Sequence, residues 1–171
     1  EAGVTGVLLC VDVTESVIDE ALSLDANLVV SHHPLLFHPL RQLVDADFTQ
    51  RIVRRALLAG ISLYAAHTNL DSAAGGMSFR LGKLLGLTGM RVLSPHRDGA
   101  ETGFGVVGDL PEAIPVSGFL QQVKSVLRCG AIRHSELCRE QVRRVALVTG
   151  AGASMLGDAV AAGGPHRARR R

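Results

Sequence analysis

Cysteine is scarce in this chain, and the few residues present do not pair. Cys10, Cys129 and Cys138 are odd in number, scattered, and form no C-x-x-C. Neither a disulfide framework nor a cysteine-based zinc knuckle is expected from that pattern, and a reducing compartment fits it best. Long apolar runs are also missing. None reaches the roughly 18 residues that a membrane span needs, so no membrane partner is expected. Charge of one sign is missing too: 18 Lys and Arg stand against 16 Asp and Glu, a balance of +2. Four of the positive charges are Arg167, Arg169, Arg170 and Arg171. Without them the body is slightly acidic, so the pI of 8.7 does not announce a nucleic-acid-binding face. There is no signal-peptide pattern, no internal repeat and no low-complexity stretch ahead of those arginines.

What is present is an ordinary globular composition, 47% hydrophobic and 20% charged over 171 residues, with enough apolar material for a core. Length predicts a single domain over residues 1–164. A basic disordered tail is expected over 165–171, because no periodic apolar residues accompany its arginines. The chain starts at Glu1 rather than Met and is expected to lack its native N-terminus. The expected location is cytoplasmic.

Patterning predicts alternating strands and helices. Val4–Val13 is a dense apolar run that suits a strand buried on both faces. Thr14–Leu24 has helical spacing, with Thr14 as its N-cap. Asn27–Ser31 reads as a second buried strand, Asp47–Ala59 as a helix stopped at Gly60, and Ile61–Ala66 as a third strand. Met77–Leu87 follows as a helix, weakened by Gly82. Later come a strand at Phe104–Leu110, a helix at Pro115–Leu127, a strand at Val142–Thr149 and a helix at Ala153–Ala162. Ser94–Gly103 is polar and reads as an internal loop. The expected fold class is α/β, a mixed, largely parallel sheet flanked by helices.

Two strand ends carry metal-ligand residues. Ser31-His32-His33-Pro34 follows the second strand, and Ala66-His67-Thr68-Asn69-Leu70-Asp71 follows the third. Ligands bind at the carboxyl ends of strands in parallel α/β sheets. Neighbouring residues on an extended chain point opposite ways. His32 and His33 therefore suit two different ions, or one ion if the backbone bends. Imidazoles and a carboxylate suit Zn, Mn or Fe. His67 can ligate, act as a base or orient a ligand. Singly, each has a plain structural explanation: loop histidines, a hydrogen-bonded core His67, and Asp71 as a helix cap ahead of Ser72-Ala73-Ala74. Two such clusters in one short chain favour the metal reading. The turn Gly150-Ala151-Gly152 does not complete G-x-G-x-x-G and has no acidic residue about 20 positions on. Tight packing explains its glycines better than a cofactor does, and no cofactor-binding loop is assigned.

These motifs carry a family resemblance. The Ser-His-His-Pro and Ala-His-Thr-Asn-Leu-Asp loops, the Gly75-Gly76 and Leu84-Leu85-Gly86-Leu87 that follow, and the later Val148-Thr149-Gly150-Ala151-Gly152 resemble the GTP cyclohydrolase I type 2 homologs, the Nif-three-like dinuclear metal-centre proteins. The resemblance implies two divalent metal ions, Zn, Fe or Mn, with His32, His33 and Asp71 at ligand positions and His67 as a site histidine given a catalytic role. It implies a nucleotide or other small-molecule substrate. The reaction would be hydrolytic opening of the GTP purine at C8, or cleavage of a related phosphoester. It implies a homo-oligomer, a hexameric ring. The family's further His and Glu, four residues apart, have no match here, because His134 is followed four positions on by Cys138. By this comparison the chain is expected to be an internal fragment or a shortened variant. The alternative expectation is a non-catalytic dinuclear-metal scaffold or regulatory protein.

Overall fold

The computed structural model describes residues 3–96 and 99–163. The tail expected over 165–171 lies outside the described residues. Where length predicts one domain, the chain divides into two compact units, Glu1–Asn69 and Leu70–Arg171. Each has its own sheet and its own core.

The first unit runs β1 (Val7–Cys10), α1 (Glu15–Ser23), β2 (Leu28–Ser31), α2 (Phe48–Leu58) and β3 (Ser62–Ala65). Its three strands are parallel in the order β1-β2-β3, with Val7 opposite Leu28 and Leu28 opposite Ser62. Thr14 caps α1 by accepting the Val17 amide at 3.2 Å. Asp47 caps α2 by accepting the Gln50 amide at 2.8 Å. Each cap satisfies an amide that the helix leaves without a partner. At the far end of α2, Gly60 takes a φ of +68°, and the Ile61 amide donates to the Ala56 carbonyl at 2.9 Å. That reversal turns the chain straight into β3.

Ile18 and Ala21 of α1 and Ile52 and Ala56 of α2 are buried with Val29 of β2, and Leu8 and Leu63 pack against them. Both helices thus cover one face of the sheet. This corrects the expectation that β1 is buried on both faces. Leu8 and Cys10 point inward, while Val7 and Leu9 are 53% and 73% exposed. The arginines of α2 do more than face water. Arg51 binds Glu15 at 3.0 Å and Arg55 binds Asp19, tying α2 to α1, although pairs this exposed contribute little.

A short helix, α3 (Thr68–Ser72), leads to α4 (Met77–Leu84), β4 (Thr88–His96), β5 (Gly99–Pro115), α5 (Val116–Val126), β6 (Gln141–Leu147), a 3-10 turn (Gly152–Met155) and α6 (Leu156–Ala162). The second sheet is antiparallel, in the order β4-β5-β6. The α/β class holds, but a largely parallel sheet holds for the first unit only. The link between β4 and β5 is far too short for a parallel crossover, so the loop expected at Ser94–Gly103 is replaced by paired strands, β4 running to His96 and β5 beginning at Gly99. Leu85, Leu87, Leu110 and Val145 form the core there, with Phe119 and Val123 of α5 against them. Gly150 has a φ of +76°, and a Cβ on Gly152 would stand 2.8 Å from the Val148 Cβ. A tight, closely packed turn is what these two glycines make.

Candidate functional site

The carboxyl ends of the parallel strands in the first unit are held together by hydrogen bonds that continue past the strands. The His32 amide donates to the Cys10 carbonyl at 3.2 Å and the His33 amide to the Val11 carbonyl at 2.9 Å, while the Ala66 amide donates to the Ser31 carbonyl at 2.7 Å. The chain bends at His32 and His33, and the buried Ser31 hydroxyl closes that bend by donating to the His33 carbonyl at 2.8 Å. Pro34, which brings no amide proton, follows.

The bend brings neighbouring imidazoles to one place. The ring centroids of His32 and His33 are 5.0 Å apart, and that of His67 lies 5.4 Å from His32 and 6.0 Å from His33. Three of the four residues singled out from the sequence therefore converge at one sheet end. Asp71 belongs to the second unit. It lies within α3 rather than at its cap, and its carboxylate accepts the Thr149 hydroxyl at 3.3 Å. Thr149 is held in turn by Ser78, whose hydroxyl lies 3.1 Å away.

The partners of two rings settle where their lone pairs lie. His32 Nδ1 is 2.9 Å from the Ala66 carbonyl oxygen. A carbonyl only accepts, so Nδ1 carries the proton and the lone pair of the neutral ring is on Nε2. His33 Nδ1 is 2.8 Å from Oδ1 of Asp12, and the same logic leaves Nε2 as its acceptor. A carbonyl or a carboxylate on one nitrogen is the arrangement that fixes tautomer and orientation in metal-ligating histidines. The donor chemistry of His32 and His33 thus fits a divalent ion. Among the described residues, however, no group of three or more His, Cys, Asp or Glu side chains is arranged to hold one. The His67 ring makes no hydrogen bond among the described residues.

Asp12 is the site residue that sequence reading missed. It stands just past β1, beside the other two strand ends, and that position in a parallel sheet was its only signal. Cys10, two residues before Asp12, packs against the core of the first unit. Burial, and then the charge of Asp12, push its thiol above the usual range. Beside the histidine turn, a cavity of about 520 Å³ runs along the free edge of β3. Its walls include Ser31, Pro34 and Ala65, the chain neighbours of the site, together with Leu35, Leu57 and Tyr64.

Comparison with known proteins agrees with this architecture. The family model Duf34/NIF3 (NGG1p interacting factor 3) matches residues 1–164. A Clostridium perfringens protein named GTP cyclohydrolase 1 type 2 homolog is 33% identical over 159 residues, 93% of this chain and 61% of the relative. NIF3-like protein 1 of Drosophila melanogaster is 30% identical over 161 residues, covering 91% of this chain and 54% of its own. The chain therefore spans little more than half the length of these two relatives. A crystal structure of a Bacillus cereus protein related to NIF3 superposes with a TM-score of 0.86 over 95% of this chain and 71% of that one, at 23% identity, a likeness of fold. No helix among the described residues is long and apolar enough to cross a membrane.

Proposed function

This chain belongs to the Duf34/NIF3 family, and within it we propose a divalent-metal protein that hydrolyses a nucleotide such as GTP or a related phosphoester. The observation that carries the proposal is the pair of fixed tautomers: His32 and His33 each present Nε2, because Ala66 and Asp12 hold the other ring nitrogen. Those two nitrogens would hold the metal, Zn, Fe or Mn. When bound, such an ion supplies Lewis-acid polarisation and a nucleophile at neutral pH. Asp12 keeps the His33 ring turned toward the site and favours its electron-donating form. His67, whose ring stands 5.4 Å from that of His32 and makes no hydrogen bond among the described residues, takes or returns a proton during attack on the substrate. The cavity beside β3 offers Leu35 and Tyr64 as walls for a nucleobase.

A second reading is a non-catalytic metal scaffold or regulatory assembly, built as a homo-oligomeric ring. It is favoured by the finding that the described residues assemble no complete ligand set. One experiment separates the two. The chain is loaded with zinc, iron or manganese and incubated with GTP, then treated with a chelator and reloaded. The hydrolase reading expects ring-opened product that stops on chelation and returns on reloading. Tightly held metal with no turnover by any of the three ions would favour the scaffold. Turnover indifferent to chelation would contradict both.

A further inference from the structure

The second unit contains a cavity with a different chemistry from the histidine site. It has a volume of about 600 Å³ and opens between α5, β6 and α6, a size suited to a small organic ligand. Its floor is apolar, with Phe119 of α5, Val142 of β6 and Val160 of α6, and its rim is basic, with Arg143 and Arg144 of β6.

The two arginines are not equivalent. Arg144 is paired: its Nε and Nη2 donate to the two oxygens of Asp109 at 2.8 and 3.0 Å across the β5–β6 pair. Those hydrogen bonds, with the charges of Arg144 and Arg143, hold the Asp109 carboxyl below its usual range. That carboxylate takes its two side-chain hydrogen bonds from Arg144, and Arg143 reaches it through charge alone. Arg143 makes no hydrogen bond and no ion pair among the described residues, although it also lines the smaller cavity beside Asp109. The cavity thus carries a guanidinium that makes no side-chain hydrogen bond among the described residues and meets Asp109 only through its charge, and it shares the lining with apolar side chains. A guanidinium presents paired donors in a planar fork that matches phosphate and carboxylate oxygens. The floor would be wasted on a bare inorganic ion.

We propose that this cavity binds a small amphipathic anion, an aromatic or aliphatic body carrying a phosphate or carboxylate, with the oxyanion on Arg143 and the body on Phe119, Val142 and Val160. The site is independent of the histidine cluster, and its failure would leave the metal proposal standing.

The test uses the whole chain and three probes in fluorescence or calorimetric titrations: 1-naphthyl phosphate, inorganic phosphate and uncharged 1-naphthol. The expected result is that 1-naphthyl phosphate binds at least about tenfold more tightly than either part alone, as apolar burial and a charged hydrogen bond combine. Arg143→Gln should weaken it by about ten- to a hundredfold, the range of a lost charge-assisted hydrogen bond, and Arg143→Glu should abolish it. Both changes are at an exposed side chain, so circular dichroism should show an unchanged fold. Binding of 1-naphthyl phosphate should also weaken as salt rises, because the rim faces solvent. Equal affinity for all three probes would overturn the proposal. So would an Arg143→Gln variant that binds as the native chain does, or no binding of 1-naphthyl phosphate at all.

Discussion

Replacing His32 and His33 together by alanine will leave the chain unable to retain a divalent ion, and Asp12→Ala alone will weaken retention by about ten- to a hundredfold. The double variant removes both fixed Nε2 donors. The single variant leaves both rings in place but frees His33 Nδ1 from the carboxylate 2.8 Å away. The ring then loses its preferred tautomer and orientation. Asp12 is exposed, so its removal should cost less than about 0.5 kcal/mol of stability, the usual range for surface changes. That separation makes the result interpretable: metal affinity falls while the melting temperature stays put. The check is a competition titration of zinc against a chromophoric chelator, with thermal melts of the metal-free proteins in parallel. Native affinity in the Asp12→Ala variant would mean that the contact orders a loop and nothing more.

The largest stability effect is expected at Gly103→Ala. Gly103 has a φ of +148°, where L side chains are strained. A Cβ there would lie 2.3 Å from the Ser94 carbonyl oxygen and 2.7 Å from the Pro95 Cα. Both are backbone atoms of the paired strand β4, so neither can swing aside. Strain and collision together should destabilise the second unit by roughly 3 kcal/mol or more, a fall in melting temperature of roughly 12 °C or more for a unit near this size. Gly118→Ala is the control. Gly118 sits inside α5, and a methyl added there would meet nothing within 4 Å. Alanine at that position should stabilise by roughly 0.5–1 kcal/mol through helix propensity. Opposite signs from the same substitution at two glycines would show that local backbone geometry, and not glycine content, governs the hairpin. A Gly103→Ala protein that melts with the native chain would refute this.

The histidine turns are legible in the sequence because each closes a short β-branched or apolar strand with residues that prefer water or metal. Leu28-Val29-Val30 ends at Ser31-His32-His33, and Ile61 to Ala66 ends at His67. Helix ends are legible for the same local reason: Thr14, Asp47 and Gly60 stand where caps are needed. What is not legible depends on partners distant in the chain. Nothing local marks Asp12 as the residue that holds His33, 21 positions away. The apolar run Val4–Val13 does not say that both helices lie on one side of the sheet, leaving Val7 and Leu9 in solvent. Ser94–Gly103 reads as loop because Pro95 and a glycine at +148° disguise strands whose pairing is supplied by each other. Nothing local marks Thr149 as the residue whose hydroxyl donates to the Asp71 carboxylate, 78 positions away. The arginine-rimmed cavity has no sequence signature, because the terminal arginines dominate the basic charge pattern. Arg143 and Arg144 acquire meaning only beside Asp109 and Phe119.

The proposed metal chemistry depends on which ring nitrogens would face the ion. The direct measurement is nitrogen NMR of the chain labelled with nitrogen-15 at histidine and loaded with cadmium-113, in which a one-bond cadmium–nitrogen coupling identifies each ligating atom. Couplings are predicted at Nε2 of both His32 and His33, with Nδ1 protonated in each. Coupling at Nδ1 of either ring, or no coupling at either histidine with cadmium bound, would contradict the assignment.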